Sequence, residues 1–131
     1  MYSTKALPKV SVALCTYNGE KYLAEQLDSL VHQTYPKFEI IAVDDCSSDA
    51  ALEILNDYAK VYPFLKVVQN PNNLGFSRNF EKAISLCSGD YIGLCDQDDV
   101  WDPEKLDILI AESKDKTLVY HDSSLIDSEG R

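Results

Sequence analysis

The chain has 131 residues, with 22 acidic against 12 basic side chains for a formal charge of −10, 45% hydrophobic residues, and only five Gly and five Pro. That is enough apolar material for the core of one ordinary domain, and too little bias for a disordered, low-complexity or collagen-like chain. The acidic balance excludes a surface built to dock on nucleic acid or anionic lipid, where phosphate neutralisation needs clustered Lys and Arg, but it leaves room for phosphate binding through a divalent metal.

No stretch approaches the ~20 consecutive apolar residues of a membrane span, and the opening MYSTKALPK lacks the apolar segment of a signal peptide. Cysteines at 15, 46, 87 and 95 include no Cys-x-x-Cys pair, so buried, reduced thiols in a cytoplasmic protein are expected.

Residues 9–15 (KVSVALC) are an apolar, β-rich run that stops at the turn chemistry of Thr-Tyr-Asn-Gly, and they predict a strand and a loop. Leu23, Leu27, Leu30 and Val31 recur as one helical face, which Pro36 closes. A second strand over 38–43 runs into Asp44-Asp45. The helix after it carries Leu52, Leu55, Ala59 and Tyr62 on one face, with Ser48 or Asp49 as N-cap and Pro63 as stop. A third strand over 65–69, a loop over 70–75 and a third helix burying Phe76, Phe80, Ala83, Ile84 and Cys87 follow. After a turn at 88–90 comes a fourth strand over 91–95 and the loop DQDDVWD. Asp102-Pro103 fits an N-cap with proline at the first helical position of a fourth helix, which buries Leu106, Leu109 and Ile110. Residues 118–121 predict a short fifth strand, and the remainder reads as polar tail.

Strands alternating with helices predict an α/β fold, a doubly wound, mostly parallel sheet with helices on both faces, because parallel neighbours need crossover connections. Ligands in such Rossmann-like sheets bind beyond the carboxyl ends of the strands, so the loops after strands 1, 2 and 4 should share one rim. That rim carries Asp44, Asp45, Asp96, Asp98 and Asp99. Five carboxylates repel one another unless a cation sits among them, and Mg²⁺ or Mn²⁺ takes one or two carboxylates plus phosphate oxygens and water. A metal bridging Asp98 to a diphosphate fits. The plainer alternative is a solvated loop cap, against which the adjoining apolar pair Val100-Trp101 argues.

Asp44 and Asp45 are either a helix cap with a solvent-facing neighbour, or the acceptor of a hydrogen bond from a ligand. Tyr17 is either a turn aromatic or a flat face for stacking a base. Arg78, in the first turn of the third helix, opposes the helix dipole, so it is either a plain surface arginine or one compensated by the acidic rim or a phosphate. His32 and His121 have no partner spacing and are expected to be structural.

Residues 8–19 (PKVSVALCTYNG), 33–36 (QTYP), 39–49 (EIIAVDDCSSD), 73–75 (NLG) and 96–101 (DQDDVW) together resemble the nucleotide-sugar-binding part of family 2 glycosyltransferases of the GT-A fold. The DQDDVW form looks most similar to bacterial rhamnosyltransferase-like enzymes. The resemblance runs in order over nearly the whole chain. It implies that Thr16 and Tyr17 line the nucleotide base, that Asp45 accepts the imide N–H of uracil or thymine while Asp44 supports that loop, and that Arg78 reaches the nucleotide. It makes Asp96 and Asp98 the two acids of the family's D-x-D motif, with Asp96 toward the ribose or a metal-bound water, Asp98 on Mn²⁺ or Mg²⁺, and Asp99 as a neighbour.

The implied reaction is transfer of a sugar from a UDP- or dTDP-sugar to a glycan or lipid-linked saccharide acceptor, with inversion, at the inner face of the membrane. The family's carboxylate base lies well downstream of D-x-D, so it is expected beyond Arg131. Residues 1–131 would then be the donor part of a truncated domain without its acceptor-binding part, inactive alone and self-associating through exposed sheet edges.

Three other functions compete. A receiver-type signalling domain needs an acid pair after strand 1, an Asp after strand 3 and a Lys after strand 5, and none is present. A nucleotidyltransferase needs a Gly-rich phosphate loop that Asn18-Gly19 alone cannot supply. A non-catalytic nucleotide-sugar and metal-binding module remains compatible with the chain. Residues 90–107 hold seven acids and one base, so six of the ten net negative charges lie around the proposed metal rim.

Overall fold

Burial explains why the first apolar run becomes the central strand: all seven residues of β1 (Val10–Thr16) are buried, as they must be in a parallel strand covered on both faces. The computed structural model describes residues 7–96, 99–113, 118–121 and 124–127. The chain continues through α1 (Glu20–Val31), β2 (Phe38–Asp44), α2 (Ala51–Val61), β3 (Leu65–Gln69), α3 (Phe76–Leu86), β4 (Tyr91–Cys95), α4 (Lys105–Ser113), β5 (Leu118–His121) and β6 (Ser124–Asp127). The sheet order is β3-β2-β1-β4-β5-β6, with β3 and β6 at its edges. Every pairing is parallel except that of β5 with β6. This is the expected doubly wound α/β fold, with order reversing between β1 and β4.

Side chains alternate across the sheet and build two cores. Val10, Val12, Leu14, Ile40 and Ala42 pack with Leu23, Leu27 and Leu30 of α1, Leu55 of α2, and Trp101, Leu106 and Leu109. The opposite face sets Ala13, Cys15, Ile41, Val43 and Leu94 against Phe80 and Ala83 of α3. Helix α3 lies alone on its face among the described residues because it carries the chain from the β3 edge across β2 and β1 to β4. No described helix is long and apolar enough to cross a membrane.

Several local expectations are corrected. The tail contains β6, a short strand held by pairing with β5 rather than by any apolar run of its own. Helix α4 begins at Lys105, and it is the Asp102 carbonyl, not its carboxylate, that accepts the Lys105 N–H at 3.0 Å. Ala50 occupies the N-cap of α2, while Asp49 one residue earlier accepts the Ala51 N–H at 2.9 Å and the Glu20 N–H at 3.1 Å, tying the starts of α1 and α2 together. Leu52 is only half-buried, and Ile54 and Tyr58 pack against the core beside Leu55 instead. Phe76 is exposed, as are Cys46 and Val100. Trp101 is buried and serves as the anchor, with the Lys105 Nζ 4.7 Å from its ring centre.

Candidate functional site

The β1–β2 register pairs Thr16 with Asp44, so the loops that leave these strands lie side by side at the carboxyl edge. They are stitched together. Asp45 N–H donates to the Thr16 carbonyl at 2.9 Å, and the Thr16 hydroxyl donates to Asp44 Oδ1 at 2.8 Å. Asp44 also accepts the Ser47 hydroxyl at 2.6 Å and the Ser47 N–H at 2.9 Å, and it is fully buried. These bonds tie its carboxylate to both loops inside the protein. Asn18, at φ 53°, receives the Ser48 N–H on Oδ1 at 2.8 Å and fixes the other side of the seam.

Asp45 faces the other way, as neighbours leaving a strand do. It is 3% exposed, yet its carboxylate is well supplied: Oδ1 accepts the Asn70 amide at 2.8 Å and the Leu74 N–H at 2.7 Å, and Oδ2 accepts the Gly75 N–H at 3.0 Å. Burial alone would raise its pKa, but these hydrogen bonds and the charge of Lys82 hold the carboxyl below its ordinary value. Leu74 and Gly75 are the last residues before α3, so an acid just past the end of β2 anchors the approach to a helix some thirty residues later in the chain. Behind it, Asn70 donates to Asn79 at 2.8 Å and accepts from Lys82 Nζ at 2.7 Å, while Asn79 donates to the Val43 carbonyl at 3.2 Å.

A cavity of about 300 Å³ opens at this point, floored by Cys15, Thr16 and Asp45, flanked by Tyr17, and walled by Asn73, Gly75, Phe76, Asn79 and Phe80. The size and the mainly apolar lining with a few polar groups suit a small organic ligand. Of the expected nucleotide residues, Thr16, Tyr17 and Asp45 line it, and Asp44 does not. Arg78 is exposed in the first turn of α3, outside the lining, and forms no ion pair among the described residues.

At the end of β4, Asp96 N–H donates to Asp99 Oδ2 at 3.3 Å, bringing two carboxylate residues together. Asp98 lies outside the described residues, and among those described no group of three or more His, Cys, Asp or Glu is placed to hold a metal ion. Asp96 and the residues from Asp102 to Leu106 are held from α1 and the turn after it. Gln26, 1% exposed, donates its amide to the Asp96 carbonyl and to Cys95 Sγ at 3.3 Å. Gln33 donates to the Asp102 carbonyl at 2.7 Å and accepts the Leu106 N–H at 3.0 Å, and Thr34 N–H donates to the Pro103 carbonyl at 2.9 Å. Sequence reasoning gave no part to Gln26, Asn70, Asn79 or Lys82. Gln26 did leave a signal, because it sits three residues after Leu23 and four before Leu30, on the apolar face of α1.

Comparison with known proteins agrees with this geometry. Residues 11–129 match the family model described as glycosyl transferase family 2. The chain is 38% identical over 105 residues to the putative glycosyltransferase EpsE of Bacillus subtilis, covering 79% of this chain and 38% of that protein. It is 44% identical over 103 residues to a poly(ribitol-phosphate) beta-glucosyltransferase of Bacillus spizizenii, covering 75% of this chain and 16% of that one. Among solved structures, residues 1–349 of S. aureus TarS in complex with UDP superpose with a TM-score of 0.73 at 39% identity, over 79% of this chain and 31% of that one. A mannosyltransferase from Pyrobaculum calidifontis in complex with GDP-Man and Mn²⁺ gives 0.68 at 28% identity, over 73% of this chain and 29% of that one. The chain thus spans well under half the length of these relatives. With a family model covering almost all of the sheet and a shared fold at high identity, the chain belongs to glycosyl transferase family 2.

Proposed function

We propose that this chain is the donor-binding part of a metal-dependent, inverting glycosyltransferase, taking a UDP- or dTDP-sugar for transfer to a glycan or lipid-linked saccharide acceptor. The observation that carries this reading is the cavity at the carboxyl ends of β1 and β2, where Thr16, Tyr17 and Asp45 converge in a chain of this family. Tyr17, 49% exposed, offers a face for the base. Asp45 Oδ2 takes the Gly75 N–H and retains capacity for a second donor such as a pyrimidine imide. Arg78, exposed beside this rim, is free to meet the diphosphate.

The donor chemistry at the end of β4 fits a hard divalent cation, since Asp96 and Asp99 offer only carboxylate oxygens and such ions complete their shell with phosphate and water. Asp98, with Asp96, would hold Mn²⁺ or Mg²⁺, which when bound stabilises charge on the departing diphosphate. Gln26 keeps the Asp96 backbone in place. The proton of the acceptor hydroxyl goes to a carboxylate base expected beyond Arg131. Rhamnose is the first sugar to try, on the likeness of DQDDVW to rhamnosyltransferase-like enzymes.

Calorimetric titration with UDP and dTDP, with and without Mn²⁺, tests the reading. Binding that strengthens with Mn²⁺ and loses that gain in Asp98→Ala is expected. Absence of binding by either nucleotide, together with phosphorylation by acetyl phosphate, would replace it with a signalling-domain reading.

A further inference from the structure

We propose that Phe76 is a ligand-contacting residue of the cavity, an aromatic wall for the nucleobase additional to Tyr17; the proposal rests on the nucleotide-binding reading above. The helical pattern assigns Phe76 to the core along with Phe80, Ala83 and Ile84, and those three do pack on the sheet. Phe76 does not. It is 67% exposed although it opens the same face of the same helix.

The backbone holds it there. Gly75 adopts φ 88°, ψ 164°, a conformation open essentially to glycine alone, and its N–H is fixed on Asp45 Oδ2. Asn79 N–H then donates to the Gly75 carbonyl at 3.0 Å and starts the helix, and the Phe76 ring rests edge-on against Phe80, centroids 5.0 Å apart at 70°. The ring is thereby left largely in solvent and in the lining of the cavity. Single exposed apolar side chains are ordinary. Here two solvent-accessible aromatic rings, Tyr17 from the loop after β1 and Phe76 from the start of α3, line one concavity that also contains a buried, ionised carboxylate.

That combination selects a flat heteroaromatic ring bearing an N–H: the protein rings offer π-faces, and the carboxylate offers an acceptor. A diphosphate gains nothing from a second apolar ring, and a sugar presents hydroxyls rather than a ring N–H to a carboxylate. Asp45 then has two tasks, to accept from the base and to anchor the turn that presents Phe76.

The test is UDP affinity of the full chain with Mn²⁺ for Phe76→Ala, Phe76→Leu and Phe76→Tyr, beside melting temperatures. Phe76→Ala should bind UDP about tenfold more weakly. Phe76→Leu, which keeps apolar bulk without a π-face, should recover little, and Phe76→Tyr should stay within about threefold of the parent. Melting temperatures should stay level, since the ring is largely in solvent. Parent-like UDP binding by Phe76→Ala, full recovery in Phe76→Leu, or loss of binding that tracks a lowered melting temperature would each overturn the proposal. Failure of the parent itself to bind UDP is a different result, because it removes the nucleotide reading first.

Discussion

Glu39 and Asp45 stand at opposite ends of β2, both buried, at 4% and 3% exposure, and both held ionised below their ordinary pKa. Their surroundings differ in kind. Glu39 is enclosed by side chains: the Ser11 hydroxyl at 2.6 Å, the Ser88 hydroxyl at 2.9 Å, Lys9 at 3.2 Å and Lys66 at 3.7 Å, with the Ser88 N–H at 2.8 Å. The backbone closes over this knot. A Cβ on Gly89 would lie 2.7 Å from the Ser11 nitrogen, so the turn into β4 tolerates only glycine there. Asp45 is held instead by two backbone N–H groups and one amide, and it also lines a cavity. A buried acid whose hydrogen-bonding capacity is consumed by its own fold cross-links the sheet; one that keeps an open side is placed to meet a ligand.

The largest expected effect tests the closed end. Glu39→Ala removes the acceptor of three hydrogen bonds and two ion pairs and should cost about 3 kcal/mol in urea unfolding, while Glu39→Gln, where folded, keeps the UDP affinity of the parent. Weakened UDP binding in folded Glu39→Gln would erase the contrast between the two ends.

Acid titration sharpens it. Burial pushes the Glu39 pKa up, but the hydrogen bonds from Ser11, Ser88 and Lys9 bring it down to about 2 from an ordinary 4.5. A depressed folded pKa gives stability that is fully present above the ordinary value and is lost as pH falls from there through the folded value. Over that window Glu39 accounts for roughly 3 kcal/mol at most, and Asp45 acts with the same sign. Urea midpoints measured across it should fall, and should fall less steeply in Glu39→Gln. An unchanged slope in that variant would show that other carboxyls govern acid unfolding.

The smallest effect concerns the open end. Gly75→Ala places a side chain in open space, so its cost is the backbone conformation alone, about 1–2 kcal/mol. Because this turn carries both an Asp45 contact and Phe76, UDP binding should weaken as well. A stability loss without a binding loss would separate the turn from the site.

Much of this molecule was readable from local pattern. The apolar run of β1 and the i, i+4 face of α1 are consequences of neighbouring residues, and they appear where expected. The errors arose where the deciding neighbour is distant in the chain. Residues 124–127 offer only the apolar pair Leu125-Ile126, too short a run to read as a strand, and they form β6 by pairing antiparallel with β5. Phe76 follows the helical pattern faithfully, but no pattern says that its ring is left exposed at a cavity while Asn79 and Phe80 of the same helix are buried. Asp44 and Asp45 are identical side chains in adjacent positions. Their residue types left both parts open, and the geometry gives them different neighbours: Asp44 bonds to Thr16 and Ser47, and Asp45 to Asn70 and the turn before α3.

The sequence by itself determined the α/β class and the edge of the sheet where the strand-end acids lie, because periodicity, turn residues and strand-end acids are local properties; its motifs, by resemblance, pointed to the family. Only the tertiary structure decided which acid is enclosed and which lines a cavity, that Gln26 of α1 and Gln33 just after it hold the segment after β4, and that Phe76 belongs to that cavity. Those are outcomes of contacts between residues some thirty to seventy positions apart in the chain, and their geometry exists only once the sheet has brought them to one rim.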